Sequence, residues 1–356
     1  MKTRIQKLNN YQILVMGFMS ILVIGGCLLS LPIASQSGNF TNFWDAFFTS
    51  ASALFVTGQT TLNIANHFNA FGKSVILLLI QIGGLGFMTF IVLFIFMMGK
   101  KVTLKDKKVM SEALNIDDIS QIKSLVRYVL GISMMIQAIG ALLLSFKWIP
   151  EFGLLKGLLF SIFHAISAFN NAGFDLFGNS LISYQDNTYV LTIIMLLIFT
   201  GGLGFIVWRD LFTYHKNKKL LVHTRVVLST TMVVILVSFI LVAIAEFKHG
   251  TFNHLPLKDQ IVNTLFLVIT PRTAGFSNID YRLISKLGIF MTIMLMFIGG
   301  ASGSTAGGFK VNTLVILYVT LISFFRNEEP HLFKRSLQKD QIRKAFVLLF
   351  ISTNII

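Results

Sequence analysis

Three glycines carry the chemistry that this sequence suggests most strongly. Gly58, Gly173 and Gly275 each sit in a short polar stretch, reading FVTGQT, NNAGFD and RTAGFS, between an amphipathic apolar segment and a long hydrophobic one. A ring of backbone carbonyls can replace the hydration shell of a cation. Pointing successive carbonyls one way needs backbone angles that a side chain resists and glycine permits. The candidate ion filter is therefore Val56, Thr57 and Gly58, then Asn171, Ala172 and Gly173, then Thr273, Ala274 and Gly275. Thr57, Asn171 and Thr273 add a hydroxyl or amide close by. A single glycine of this kind would be an ordinary turn between helices; three in matched context favour a filter.

Each of these glycines is followed, 24 to 28 residues on, by a glycine pair inside the next hydrophobic segment: Gly83-Gly84, Gly201-Gly202 and Gly299-Gly300. The pentapeptide GGLGF occurs at 83–87 and again at 201–205, which identifies a repeat at residue level. Close helix packing through small residues suffices to explain those two copies. The third copy departs from the pattern. Residues 287–325 hold a single charge, Lys310, and are longer than one crossing needs. Two crossings would place the basic stretch 326–344 outside, so one interrupted crossing is expected. Its centre comprises Gly299, Gly300, Ala301, Ser302, Gly303, Ser304, Thr305, Ala306, Gly307, Gly308, Phe309 and Lys310. Its five glycines would cost a continuous helix about 5 kcal/mol relative to alanine. A polar non-helical loop at membrane depth is tolerated where it lines a water-filled cavity. A constriction facing the pore, just below the filter, is the expectation, with small-residue helix packing as the alternative. Lys310 would either snorkel to the cytoplasmic vestibule or tie the loop through its carbonyls.

The elements that must position these residues follow from the hydropathy. Runs at 11–31, 74–98, 126–146, 189–207, 226–245 and 287–325 approach or exceed the roughly 20 apolar residues that cross a bilayer. Shorter amphipathic pieces at 42–55, 158–169 and 261–269 suit half-helices that enter and stop. Their C-terminal ends would carry partial negative charge toward a cation. The fold class expected is an all-α integral membrane protein. Its tandem repeats each comprise an outer helix, a re-entrant pore helix with a filter loop, and an inner helix, around a central pore. The divisions are a first pore repeat at 11–98, a cytoplasmic loop at 99–125 and a second repeat at 126–213. A third repeat with an interrupted inner helix follows at 224–325, then a cytoplasmic loop at 326–344 and the start of a fourth repeat at 345–356.

Composition sets the class: 54% of the chain is apolar and 13% charged, against roughly a quarter charged in soluble proteins. The net charge of +15 does not indicate nucleic acid, because it is laid out by side of a membrane. Of the 30 Lys and Arg, 22 fall in segments that share one side, while the acidic residues divide evenly. That bias marks the cytoplasmic side, and it puts the N-terminus there. The basic loops 100–123 and 209–225 are candidates for docking a cytoplasmic partner. The one cysteine, Cys27, excludes an intrachain disulfide. The seven histidines show no metal-ligand spacing, and no catalytic elbow or phosphate loop appears, so no enzyme, resident metal or covalent cofactor is expected. His164 reads as a packing residue of a pore helix and Arg272 as the salt-bridged support of the third filter stretch. Asp175 and Asp280 would stand near outer mouths, as cation-concentrating or merely solvated acids.

The filter glycines are 115 and 102 residues apart, so a fourth would fall at about 375–390, past Ile356. Three loops cannot enclose a four-fold filter, and the chain is expected to be a piece of a four-repeat protein.

The segments VTGQT, NNAGF, RTAGF and GGASGSTAGGFK resemble the first three filter segments and the intramembrane loop of the Trk/Ktr/HKT superfamily of potassium transporters, closest to pore subunits of the KtrB type. The resemblance covers essentially the whole chain, three of that family's four repeats. It implies potassium as the transported ion, with sodium as a possible activator, in a bacterial multi-pass plasma-membrane protein. It implies a homodimer docked on a cytoplasmic ring of nucleotide-binding RCK regulatory subunits. Gly58, Gly173 and Gly275 would be filter glycines, and residues 299–308 the gating loop. Glycine rather than serine at 58 resembles the potassium-selective members. Two other readings stay open from the residues alone: a secondary cation symporter with alternating access, and a non-conducting membrane regulator derived from a pore.

Overall fold

Asn42, Asn69 and Ser285 cap helix starts by accepting from first-turn N–H groups, and Gly86 and Gly250 end helices at positive φ. The computed structural model describes residues 10–86, 122–332 and 335–355. The end of the first repeat, Phe87 of the first GGLGF and nearly all of the basic loop 100–123 lie outside the described residues. The chain divides into two units: residues 1–201 with Ala274–Ile279, and Gly202–Thr273 with Asp280–Ile356.

In the first unit, α1 (Asn10–Ser30), α2 (Phe43–Leu54) and α3 (Ala70–Leu85) form one outer, pore and inner set. The Asn42 side chain accepts from the Trp44 N–H to cap α2, and Asp45 in the first turn complements the helix dipole. The buried face of α2 is small, with Ala46, Thr49, Ser50 and Ala53, and it packs on Gly25 and Gly26 of α1. Ser50 Oγ donates to the Leu22 carbonyl at 2.9 Å. Small residues let the two backbones approach. The second set repeats the plan with α4 (Ile122–Phe152), α5 (Leu154–Phe169) and α6 (Thr188–Gly202). Gly153, at φ 82°, makes the tight turn into α5, and Gly157 lies against the α4 backbone at Trp148 and Ile149. The half-helix begins four residues before the expected Leu158; in this added turn Gly157 packs on α4, while Leu154 and Leu155 are exposed.

In the second unit, α7 (Phe205–Asn217) leads to α8 (Val222–His249), α9 (Leu257–Ile269), α10 (Lys286–Phe297) and α11 (Val311–Arg326). A short hairpin, β1 (His331–Leu332) with β2 (Arg335–Ser336), precedes α12 (Lys339–Ile355). On α8, Met232, Leu236, Ile240 and Ile244 form an exposed apolar stripe, which suits hydrocarbon rather than water. Glu246, buried near the far end of α8, accepts from Ser285 Oγ at 2.5 Å and from Thr251 Oγ1, stapling the start of α10.

Among the described residues, Val126–Phe152 and Val222–His249 are each long and apolar enough to cross a membrane, with Thr188–Gly202 and Phe205–His215 a third if they form one bent span. The expected continuous run 189–207 is therefore interrupted. Gly204 takes φ 90° and separates α6 from α7. The expected interruption of 287–325 falls between Phe297 and Val311.

Candidate functional site

All three candidate filter stretches leave the end of a pore helix with the same pattern of φ. The residue two before each glycine has positive φ: Val56 57°, Asn171 57° and Thr273 74°. Each glycine does so again: Gly58 75°, Gly173 71° and Gly275 77°. An alternating sign of φ directs successive carbonyls to one side, the geometry a carbonyl-lined ion path needs. For a β-branched residue such a φ is uncommon and costs about 1–3 kcal/mol. Val56 and Thr273 both bear it. The sequence places the unusual backbone only at the glycines. Its grouping of Thr57 with Asn171 and Thr273 is also out of register, since Val56 is the structural counterpart of those two.

In the first unit the glycines meet backbone on backbone. A Cβ on Gly58 would collide with the Ala172 carbonyl oxygen and stand 3.3 Å from Gly173 Cα. One on Gly173 would lie 2.6 Å from the Ala274 oxygen and 2.9 Å from Gly275 Cα. One on Gly275 would lie 3.3 Å from Gly173 Cα. Residues 115 and 102 apart in sequence are thus brought together, and any side chain there would separate them.

The first two stretches are fastened alike. The Thr57 N–H donates to the Ser52 carbonyl at 2.9 Å, and the Ala172 N–H to the Ser167 carbonyl at 2.8 Å. Thr57 Oγ1 donates to Ser52 Oγ, and Ser167 Oγ to the Phe174 carbonyl, each at 2.8 Å. The expected site omits both serines, although a serine-alanine pair with glycine six residues after the serine occurs at 52–58 and at 167–173. The third stretch has Ile269 at that position. There the Ile269 carbonyl accepts from the Arg272 N–H at 3.3 Å, and the Thr273 N–H donates to the Pro271 carbonyl at 2.6 Å.

His164 is buried and serves packing. With Nδ1 donating to the Phe160 carbonyl at 2.8 Å, Nε2 is left to accept from the Leu176 N–H at 3.3 Å. Its ring stacks on Phe177 at 4.6 Å. Asp175 Oδ1 accepts from the N–H groups of Phe177 and Gly178 at 2.8 and 2.6 Å, so its first task is to hold a turn. It also borders a cavity of about 70 Å³ with Gly58, Thr60, Asn63 and Gly173. Asp280 is engaged by Arg282, whose Nε donates to both carboxylate oxygens at 3.0 and 2.9 Å. These hydrogen bonds pull the carboxyl down to about 2. A carboxylate held this way is poorly placed to collect ions.

The two GGLG copies stand where backbones converge. A Cβ on Gly83 would collide with the Leu54 carbonyl oxygen, and one on Gly84 with the Asn170 side chain. Asn170 closes α5 and donates to Gln81 Oε1 at 2.9 Å, which Gln137 also reaches at 3.1 Å. In the second copy the Gly202 carbonyl accepts from the Ala301 N–H at 3.0 Å, and the Phe205 N–H donates to the Gly303 carbonyl at 2.9 Å. The helix break therefore holds the glycine-rich loop as well as packing against neighbours.

That loop is folded back on itself. The Gly299 N–H donates to the Phe309 carbonyl at 3.0 Å, the Phe309 N–H to the Phe297 carbonyl at 3.2 Å, and the Phe297 and Phe309 rings stack at 5.2 Å. Gly300 passes its carbonyl to the Val311 N–H at 3.1 Å. Ser304 Oγ donates to the Ala301 carbonyl at 2.7 Å. Ala301, Thr305 and Ala306 are buried, Ser302 and Gly303 partly so, and Gly307 and Gly308 exposed. Lys310 Nζ donates to the Ala306 carbonyl at 2.6 Å, so the lysine ties the loop. Arg272 is not salt-bridged to any carboxylate of a described residue; its Nη2 donates to the Gly299 carbonyl at 3.2 Å. Among the described residues no His, Cys, Asp or Glu cluster could hold a metal ion.

Known proteins resemble the chain over nearly its whole length. The chain is 44% identical over 357 residues to the potassium/sodium uptake protein NtpJ of Enterococcus hirae, covering 100% of this chain and 79% of that protein. It is 40% identical to the Ktr system potassium uptake protein B of Bacillus subtilis, covering 97% and 78%. The crystal structure of the potassium transporter TrkH from Vibrio parahaemolyticus matches in fold, with a TM-score of 0.73 at 18% identity over 97% of this chain and 69% of that one. Residues 1–352 match the family described as TrkH, cation transport protein, and the chain belongs to that family.

Proposed function

We propose that this chain is the pore-forming part of a potassium uptake protein of the cell membrane. Potassium passes a filter of backbone carbonyls at residues 56–58, 171–173 and 273–275, and the loop 299–310 gates the flow. The observation that carries this reading is the shared pattern of φ, positive at each glycine and at the residue two before it. Turns of this kind are strained at Val56 and Thr273, and local strain concentrates at functional sites. The names of the two relatives, one a potassium/sodium and one a potassium uptake protein, support potassium as the cargo and sodium as a second ion or activator. The naming of the relative as part of a Ktr system supports a cytoplasmic regulatory subunit of the RCK type, and the basic loops 100–123 and 209–225 suit its docking. A homodimer with cytoplasmic N-termini completes the arrangement, with pore repeats at 11–98, 126–213 and 224–325.

The test is growth at low external potassium of a host stripped of its own uptake systems. Expression of the protein as its gene encodes it should restore growth. Membrane-inserted protein without rescue would overturn the potassium reading.

A further inference from the structure

We propose that Arg272 is a positioning residue that couples ion discrimination to the gate, by fixing the glycine-rich loop to the third filter stretch. The inference rests on the pore reading above and deepens it. Three observations carry it, and the contacts of Arg272 and Thr273 that they use lie within the second unit.

The first is a weaker fastening. Ser52 and Ser167 hold the first two stretches through both their carbonyls and their hydroxyls, whereas the third has Ile269 at that place, whose carbonyl accepts from the Arg272 N–H at 3.3 Å and whose side chain adds no hydrogen bond. Thr273, at φ 74°, lacks the hydroxyl tie of the other two stretches. The second is where the guanidinium goes. Arg272 Nη2 donates to the carbonyl of Gly299, the residue at which the two limbs of the loop meet. The Gly299 N–H is bonded to Phe309, and a Cβ there would collide with the Gly307 carbonyl oxygen. An arginine on this node holds both limbs. The third is the contact beside it. A Cβ on Gly308 would stand 3.3 Å from Thr273 Cγ2, so the Thr273 side chain rests on the loop's exposed glycines.

Arg272 and Thr273 are consecutive. One therefore grips the loop while the next, a filter residue, leans on it. Displacing the loop at Gly299 removes the support of Thr273 at the same time. Flux and discrimination should then change together when Arg272 is altered. By contrast, deleting residues 302–307 leaves Gly299, Gly308 and the arginine in place, and should change flux alone.

The experiment is rubidium uptake into proteoliposomes carrying the whole protein, with sodium as competitor, for wild type, R272M, R272K and R272Q. Protein inserted in the membrane is quantified in each. Losing one hydrogen bond to a charged group corresponds to about a tenfold change in an equilibrium. R272M should raise flux and lower the rubidium-over-sodium ratio by about that factor, and R272K, keeping a cationic donor, should restore most of the ratio. A ratio in R272M within about twofold of wild type, well short of the change expected for such a bond, overturns the proposal. Equal losses in R272M and R272K, the mark of a merely structural arginine, overturn it too. If R272M does not insert, R272Q is judged in its place by the same criteria. Absence of uptake by inserted wild-type protein would instead sink the pore reading, and this inference with it.

Discussion

At Gly58 the backbone geometry allows a sharp statement about one atom. A serine there must place its Cβ where the Ala172 carbonyl oxygen stands, on a φ of 75° that side chains resist. Gly58→Ser should reduce discrimination of potassium over sodium while leaving the protein inserted, and competition uptake checks it; an unchanged ratio would place ion selection elsewhere. Asp280 makes the opposite case. Its carboxyl lies near 2 in the folded protein because Arg282 hydrogen-bonds the charged form. A depressed folded value contributes stability above the unfolded carboxylate range and loses it only as pH falls toward 2. Asp280→Asn should therefore leave the profile of uptake between about pH 5 and 8, well above that window, unaltered. A shift in that profile would give Asp280 a role in ion entry.

Among elements, the break between α6 and α7 does more than end a span. Gly204→Ala would force a side chain onto φ 90° with its Cβ 3.0 Å from the Ser302 carbonyl oxygen. The strain is worth about 1–3 kcal/mol, and it falls on the side of the loop that Phe205 and Gly202 hold. Raised rubidium flux with normal insertion is the expected outcome; unchanged flux would reduce the contact to packing. Glu246 is a second such device. Glu246→Ala leaves the Ser285 and Thr251 hydroxyls without their acceptor, and should cost about 1–3 kcal/mol, read as a lower midpoint of thermal unfolding in detergent. Elements of this kind explain what the sequence showed and hid. The three pore helices and the gap 298–310 were legible because hydropathy and glycine density act locally. The Gly204 break was not, because GGLGF fits a packed helix equally well until the Ala301 and Gly303 partners are known. Ser52 and Ser167 were readable as a repeated SA-to-glycine spacing, but Arg272 on Gly299 joins residues 27 apart across a folded loop, and no periodicity marks it.

For the molecule as a whole, the proposed uptake needs both a carbonyl path and a gate. In the first unit, glycines 115 and 102 residues apart are gathered by backbone contact. In the second, the loop is fixed by Arg272, by Lys310 and by the α6–α7 break. Family membership makes cation transport the frame in which both are read. Deleting residues 302–307 separates the two functions: it should raise flux and leave ion preference as it was. The most direct test of the central claim is potassium-driven current or rubidium flux through the purified whole protein in proteoliposomes, measured for wild type and Gly58→Ser under a sodium gradient of either sign. The account predicts potassium-selective flux in wild type and a clear loss of that selectivity in the variant. Equal selectivity in both, with both proteins inserted, would contradict a filter built on these glycines.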